Sequence, residues 1–160
     1  MFIMVNNFSP KSAIILGMHD AIVSLVGLIA GLYVTFTDPN VIIISCIIAS
    51  AAAALSMATA NYLAVKSINK RTALTSGLFT GGAYLTTCAV LILPFVAFNH
   101  RFVALMAVFA LSILIIFTFN IIFYRGKRFR KHFVEMLVIC TIVTITAFFI
   151  GEIANKFFGI

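Results

Sequence analysis

This 160-residue chain has no tryptophan and few charged side chains of either sign. Charged residues make up 9% of it, against about 25% in an ordinary soluble domain, whereas hydrophobic residues make up 63%. A water-soluble core of this length has no use for so much apolar surface, so the composition predicts an integral membrane protein. Without tryptophan, the expected interface anchors are the tyrosines Tyr33, Tyr62, Tyr84 and Tyr124.

Several chemical signatures are also absent. The three cysteines, Cys46, Cys88 and Cys140, are scattered through apolar stretches without a CxxC pair, which argues against a disulfide framework and favours simple packing. The sequence contains no HExxH, no nucleophile elbow and no phosphate-cradling glycine loop. We therefore expect neither an enzyme nor a resident cofactor.

What the chain does have is five long apolar stretches, each sufficient for the roughly 20 residues of a membrane-spanning helix. We predict helices over about 12–36, 41–65, 73–98, 102–124 and 133–155, within one transmembrane domain covering residues 1–160. Ser9 and Pro10 fit the cap and first turn of the first helix. Because the links are short, neighbouring helices should run antiparallel. The predicted fold class is an all-α bundle of five transmembrane helices.

Positive charge predicts how this bundle lies in the membrane. One side receives most of the basic residues: Lys11, Lys66, Lys70, Arg71, Arg125, Lys127, Arg128, Arg130 and Lys131. The other side receives Arg101 and Lys156. The positive-inside rule then places the N-terminus in the cytosol and the C-terminus outside it. The basic run lies between two membrane helices, so we interpret it as an anchor, with lipid-headgroup binding as an alternative, and we expect no nucleic-acid partner.

The first apolar stretch contains an acid, Asp20. A charge at bilayer depth costs several kcal/mol, so an acid kept there is a functional-site candidate. Asp20 lies about seven residues, or roughly 10 Å, beyond the cytosolic start of its helix. On the second helix, Met57 and Asn61 lie at a similar depth because Asn61 precedes Lys66 by five residues.

These three side chains form a mixed set of ligands. Carboxylate and amide oxygens suit hard divalent ions and a thioether suits softer ones, so the set predicts a borderline ion such as Fe²⁺. We predict Asp20, Met57 and Asn61 as metal ligands. Simpler roles stay open: Asp20 as an acid near the interface, Met57 as filler, and Asn61 as a hydrogen-bonding partner of another helix.

Other polar residues are weaker candidates. His19 lies roughly 100° around the helix from Asp20 and faces either headgroups or a vestibule. Glu135 fits an ion pair with the basic run, and Arg101 fits a solvated turn. Small residues at helical spacing predict close helix packing, namely Ser24, Gly27 and Gly31 after Asp20, and Gly77 and Gly81 on the third helix.

Three stretches resemble the vacuolar iron transporter family. His19–Val23 with Gly27–Leu32 is similar to the family's opening helix "DGLV…GLVAGL". Ala54–Ser67 (ALSMATANYLAVKS) is similar to "ALSMAAGEYLSVKS", and Phe148–Gly151 to "YLIG". The resemblance implies a dimeric five-helix carrier that moves Fe²⁺ or Mn²⁺ out of the cytosol in exchange for protons, with Asp20 and Met57 on the metal path.

This chain departs from that family in two ways. Asn61 stands where the family usually has a glutamate, and the cytosolic metal-binding insert between the second and third helices is missing. Our hypothesis is a proton-coupled exporter of Fe²⁺ or Mn²⁺, in a bacterial inner membrane or an organelle membrane, working as a homodimer. The alternatives are a transport-inactive structural or regulatory bundle of the same fold and a carrier of another small cation or solute.

Overall fold

The computed structural model describes residues 10–123 and 127–158 of the chain. The described residues form five helices: α1 (Pro10–Thr35), α2 (Pro39–Lys66), α3 (Lys70–Ala97), α4 (Arg101–Phe123) and α5 (Lys127–Phe158). Each is long and apolar enough to cross a membrane, which confirms the predicted all-α membrane bundle. Ser9, Tyr124 and Arg125, to which the sequence assigned roles, lie outside the described residues.

Short polar turns set the helix starts. Asp38 caps α2, its carboxylate accepting from the Asn40 amide at 2.9 Å, with Pro39 as the first helical residue. Asn69 caps α3 in the same way, accepting from the Arg71 amide at 3.0 Å. The start predicted for the fifth helix is wrong, because α5 begins at Lys127 rather than near 133. Lys and Arg are good helix formers, so much of the basic run belongs to the helix rather than to a link.

The centre of the bundle is α1. It packs mainly against α3 and α5. The main partner of α2 is α3, whereas the contacts of α4 with the other helices are sparser. The fully buried side chains of α1 include Ala21, Ile22 and Val26. We call the end that carries the start of α1, the α2–α3 link and the start of α5 the basic end.

Backbone-to-backbone approaches at glycines hold the helices together. A Cβ on Gly17 of α1 would overlap the Thr80 carbonyl of α3, and one on Gly151 of α5 would lie 2.6 Å from the Gly31 carbonyl of α1. Gly77 and Gly81 give α3 the same closeness to Ala58 of α2. Helices in lipid gain little from burying apolar surface against each other, so such close contacts are what associates them. The prediction that Gly31, Gly77 and Gly81 pack helices closely is confirmed.

Two expectations for polar residues are wrong. Tyr84 is no interface anchor, since it is 3% exposed and its hydroxyl lies 2.7 Å from the Ser24 hydroxyl. Arg101 is not simply solvated, because its guanidinium stacks 4.2 Å from the centre of the Tyr33 ring and donates to the Tyr33 carbonyl at 2.6 Å. In both cases a partner about 60 residues away in sequence decides the role. The three cysteines are free and buried, as predicted.

Candidate metal site

Asp20 lies on α1 between two contacts with α3. One turn before it, the backbone of Gly17 touches that of Thr80, and one turn after it, Ser24 meets Tyr84. Asp20 itself is partly exposed, and Leu16 and Ser24, its neighbours on the same face, are exposed. Asp20 therefore lies at the surface of the described chain rather than sealed in its core.

A short polar chain connects Asp20 to α3. The Ser24 hydroxyl lies 2.6 Å from the Asp20 carbonyl, to which it donates, and 2.7 Å from the Tyr84 hydroxyl. A serine hydroxyl commonly bonds back to the carbonyl four residues earlier in a membrane helix, where no water is present to take that role. Ser24 and Gly17 thus join the Asp20 segment of α1 to α3, a contact that the sequence did not indicate.

Asn61 of α2 is also turned toward α3. Its amide nitrogen donates to the Ser76 carbonyl at 3.2 Å, to the Ser76 hydroxyl at 2.8 Å and to the Thr80 hydroxyl. Because a backbone carbonyl only accepts, the nitrogen rather than the oxygen of the amide must face α3. The amide oxygen is left for another partner. Asn61 therefore hydrogen-bonds another helix, which was the simpler alternative. Its amide oxygen remains a potential metal ligand.

The levels of α1 and α2 in the bundle can be compared through α3. Thr80 meets Gly17 of α1 through its backbone and Asn61 of α2 through its hydroxyl. The segment one turn before Asp20 and the segment carrying Asn61 therefore lie at the same level. Met57 lies one turn deeper on α2, partly buried against the apolar core. The assignment of these three residues as metal ligands stays a prediction.

The described residues do not form a complete metal centre. Among residues 10–123 and 127–158, no three His, Cys, Asp or Glu side chains converge closely enough to hold an ion. The predicted ligands are one carboxylate on α1 and a thioether and an amide oxygen on α2. This set carries one negative charge against the two positive charges of a divalent ion.

Sequence reasoning overlooked the α3 side of this site. Tyr84 and Cys88 were noticed only as an interface tyrosine and a packing cysteine. Their spacing of four residues places both on one face of α3, together with Gly77, Thr80 and Gly81 at similar spacings. That stripe of small and polar residues was the available signal.

A comparison with known protein families matches the region of the chain that contains these residues. Residues 11–73 match the model of the VIT family, a stretch that covers α1, α2 and the start of α3 and includes Asp20, Met57 and Asn61. Comparison with curated proteins gave no match. The family is one of transporters, and with five apolar helices the chain is a multi-pass integral membrane protein. Over residues 11–73 the chain is thus similar to the family that its sequence resembles.

Proposed function

We propose that this protein exports Fe²⁺ or Mn²⁺ from the cytosol in exchange for protons, with Asp20 as the exchanging group. The observation that carries the proposal is a carboxylate held partly exposed inside a membrane span, within the stretch that matches a transporter family. Met57 and Asn61 supply neutral ligands from α2. An acid at this depth is costly and is kept where it serves transport.

The exchange follows from the chemistry of a carboxyl group. Apolar surroundings favour its protonated form, and a bound cation favours its ionised form. Entry of a divalent ion therefore releases the Asp20 proton, and departure of the ion on the far side lets the carboxylate take up another. Proton and metal then move in opposite directions. One acid leaves one positive charge on a bound divalent ion, whereas two acids neutralise it.

A homodimer resolves this charge imbalance. The exposed face of α1 that carries Leu16, Asp20 and Ser24 brings two copies of Asp20 together if it pairs with its own copy about a twofold axis. Pairing through identical faces is the commonest way for a chain to form a dimer. It also removes a polar face from lipid, where unpaired polar groups are unfavourable. The metal path then runs along the axis, between two carboxylates.

The decisive experiment measures metal uptake into proteoliposomes with an imposed pH gradient, using Fe²⁺, Mn²⁺, Co²⁺ and Zn²⁺ in turn. We expect Fe²⁺ and Mn²⁺ to enter faster when the lumen is acidic, and the lumen to lose protons as they enter. Uptake that ignores the gradient would rule out proton exchange. Vesicles that take up no metal at all would favour the transport-inactive bundle.

The dimer can be tested with an introduced thiol. Leu16→Cys places a cysteine on the Asp20 face, at a position that is 46% exposed, while the three native cysteines are buried. Mild oxidation should convert this variant to a covalent dimer in the membrane. Thr86→Cys, at an exposed position on α3, is the matched control and should stay monomeric on a denaturing gel. Equal cross-linking of both, or of neither, would contradict an α1-centred interface.

A further inference from the structure

A second group of ligating side chains lies at the basic end, on the opposite side of α1 from Tyr84. A cavity of about 200 Å³ opens there between α1, α4 and α5. Its walls carry two imidazoles, a carboxylate and a thioether among apolar side chains: Ile15, His19, Phe119, His132, Glu135, Met136 and Ile139. The proposed transport mechanism uses none of the four.

Two buried polar atoms beside this cavity have no hydrogen-bond partner in the described structure. One is Nε2 of His19, in the cavity wall. The other is Oδ1 of Asn120. Asn120 is 0% exposed, and its amide nitrogen contacts the sulfur of Met136, another wall residue, at 3.4 Å. Buried polar groups are nearly always bonded, so the unpartnered Nε2 of His19 in the cavity wall points to a bound ion or water.

We propose that this cavity binds a divalent transition-metal ion through His19, His132 and Glu135. Two imidazoles and one carboxylate are a common ligand set for Fe²⁺, Co²⁺ and Zn²⁺. Met136 lines the cavity, and the buried Asn120 amide lies behind it against its sulfur. The site is separate from the Asp20 face, although His19 and Asp20 are adjacent in sequence.

Binding of an ion requires the side chains of His132 and Glu135 to turn toward the cavity. His132 Nδ1 lies 3.7 Å from Glu135 Oε2, and both side chains are substantially exposed, at 39% and 57%. They therefore have room to turn inward, while His19 is held in the wall by the surrounding helices. Binding replaces the contact between His132 and Glu135 by contacts of each with the ion. Among the described residues the three side chains do not already form a metal-holding group, so binding requires His132 and Glu135 to move toward His19.

The surrounding charge selects the kind of ion. Arg130 and Lys131 precede the cluster on α5, so a cation held by charge alone is disfavoured there. An ion that bonds strongly to nitrogen overcomes this, which favours transition metals over Ca²⁺ and Mg²⁺. Resting on the proposed function, we assign the site the capture of metal at the basic end before transfer to Asp20.

Binding can be measured without transport. The purified full-length protein, carrying Asp20→Asn to silence the other site, is titrated with Co²⁺ and followed by visible absorption, which reports nitrogen ligation. We expect one Co²⁺ per protomer, and at least about tenfold weaker binding in His19→Asn and in Glu135→Gln. His100→Asn, in the turn at the opposite end, is the matched control and should bind Co²⁺ unchanged. Glu135 is mostly exposed, so its variant keeps the fold.

The outcomes separate this site from the proposed function. Absence of nitrogen-ligated Co²⁺, or equal affinity in the His19, Glu135 and His100 variants, would overturn the site and leave a cavity that holds water. Metal uptake by the wild-type protein together with such a result would leave proton-coupled export standing. Histidine-dependent binding in a protein that transports nothing would leave the site standing and remove the exporter.

Discussion

Replacing Asp20 with asparagine should reduce metal uptake into proteoliposomes to the level of protein-free vesicles. The amide has nearly the size of the carboxyl group, so the contacts of Gly17 and Ser24 with α3 remain. It carries no exchangeable proton in the physiological range and no negative charge for a divalent ion. Uptake and proton release should be lost together, because one group performs both steps in the proposed mechanism.

Asp38→Asn is the matched control for this change. Asp38 caps α2 in an exposed turn, and asparagine caps helices as well as aspartate does. This variant should transport at the wild-type rate. Undiminished uptake by Asp20→Asn, measured on protein that elutes as the wild type does in size-exclusion chromatography, would remove Asp20 from the mechanism. Equal losses in both variants would point to a general effect of charge instead.

Replacing Gly17 with alanine should destabilise the bundle strongly. The added Cβ would overlap the carbonyl oxygen of Thr80, and its other near neighbours are also backbone atoms of Thr80. Backbone in a packed helix cannot turn aside as a side chain can, so α1 and α3 must separate. Overpacking of this kind costs about 1–3 kcal/mol or more. Thermal unfolding of the variant in detergent should show a clearly lower midpoint temperature than that of the wild-type protein.

Gly82→Ala provides the comparison. Gly82 lies in α3 with nothing within 4 Å of an added Cβ, so the same substitution meets open space. Alanine is the better helix former, and the midpoint should be unchanged or raised by an amount corresponding to at most about 1 kcal/mol. A Gly17→Ala protein as stable as Gly82→Ala would mean that α1 and α3 do not approach as closely as described.

The helices were predictable because apolar length alone reports a membrane span. The boundaries were less predictable. α2 begins at Pro39 rather than near 41, because Asp38 caps it and proline fits the first helical turn. α5 begins before its predicted start, because the prediction followed hydropathy, whereas the helix continues through Lys and Arg into the interfacial region. Hydropathy measures where the hydrocarbon ends rather than where the helix ends.

The positions of the candidate residues along their helix axes were predictable from the sequence, but the neighbouring helix that each one faces was not. Helical rise placed Asp20 and Asn61 along their axes, and that calculation needs only local geometry. Which helix each one faces depends on contacts between distant segments, such as Ser24 with Tyr84 and Asn61 with Thr80. Sequence spacing within α1 or α2 carries no such information. For this reason the surroundings of Asp20 contributed by α3 emerged only from the three-dimensional arrangement.

The contact between Gly31 and Gly151 has a consequence for biogenesis. During synthesis the helices enter the bilayer in order, so α1 arrives first while the segment that covers its glycine face is made last. Until then, that face remains open to any small-residue helix nearby, including one from another nascent chain. A chaperone or insertase that shields α1 through translation would prevent premature pairing, and nascent chains arrested before α5 should be preferred targets of membrane proteases.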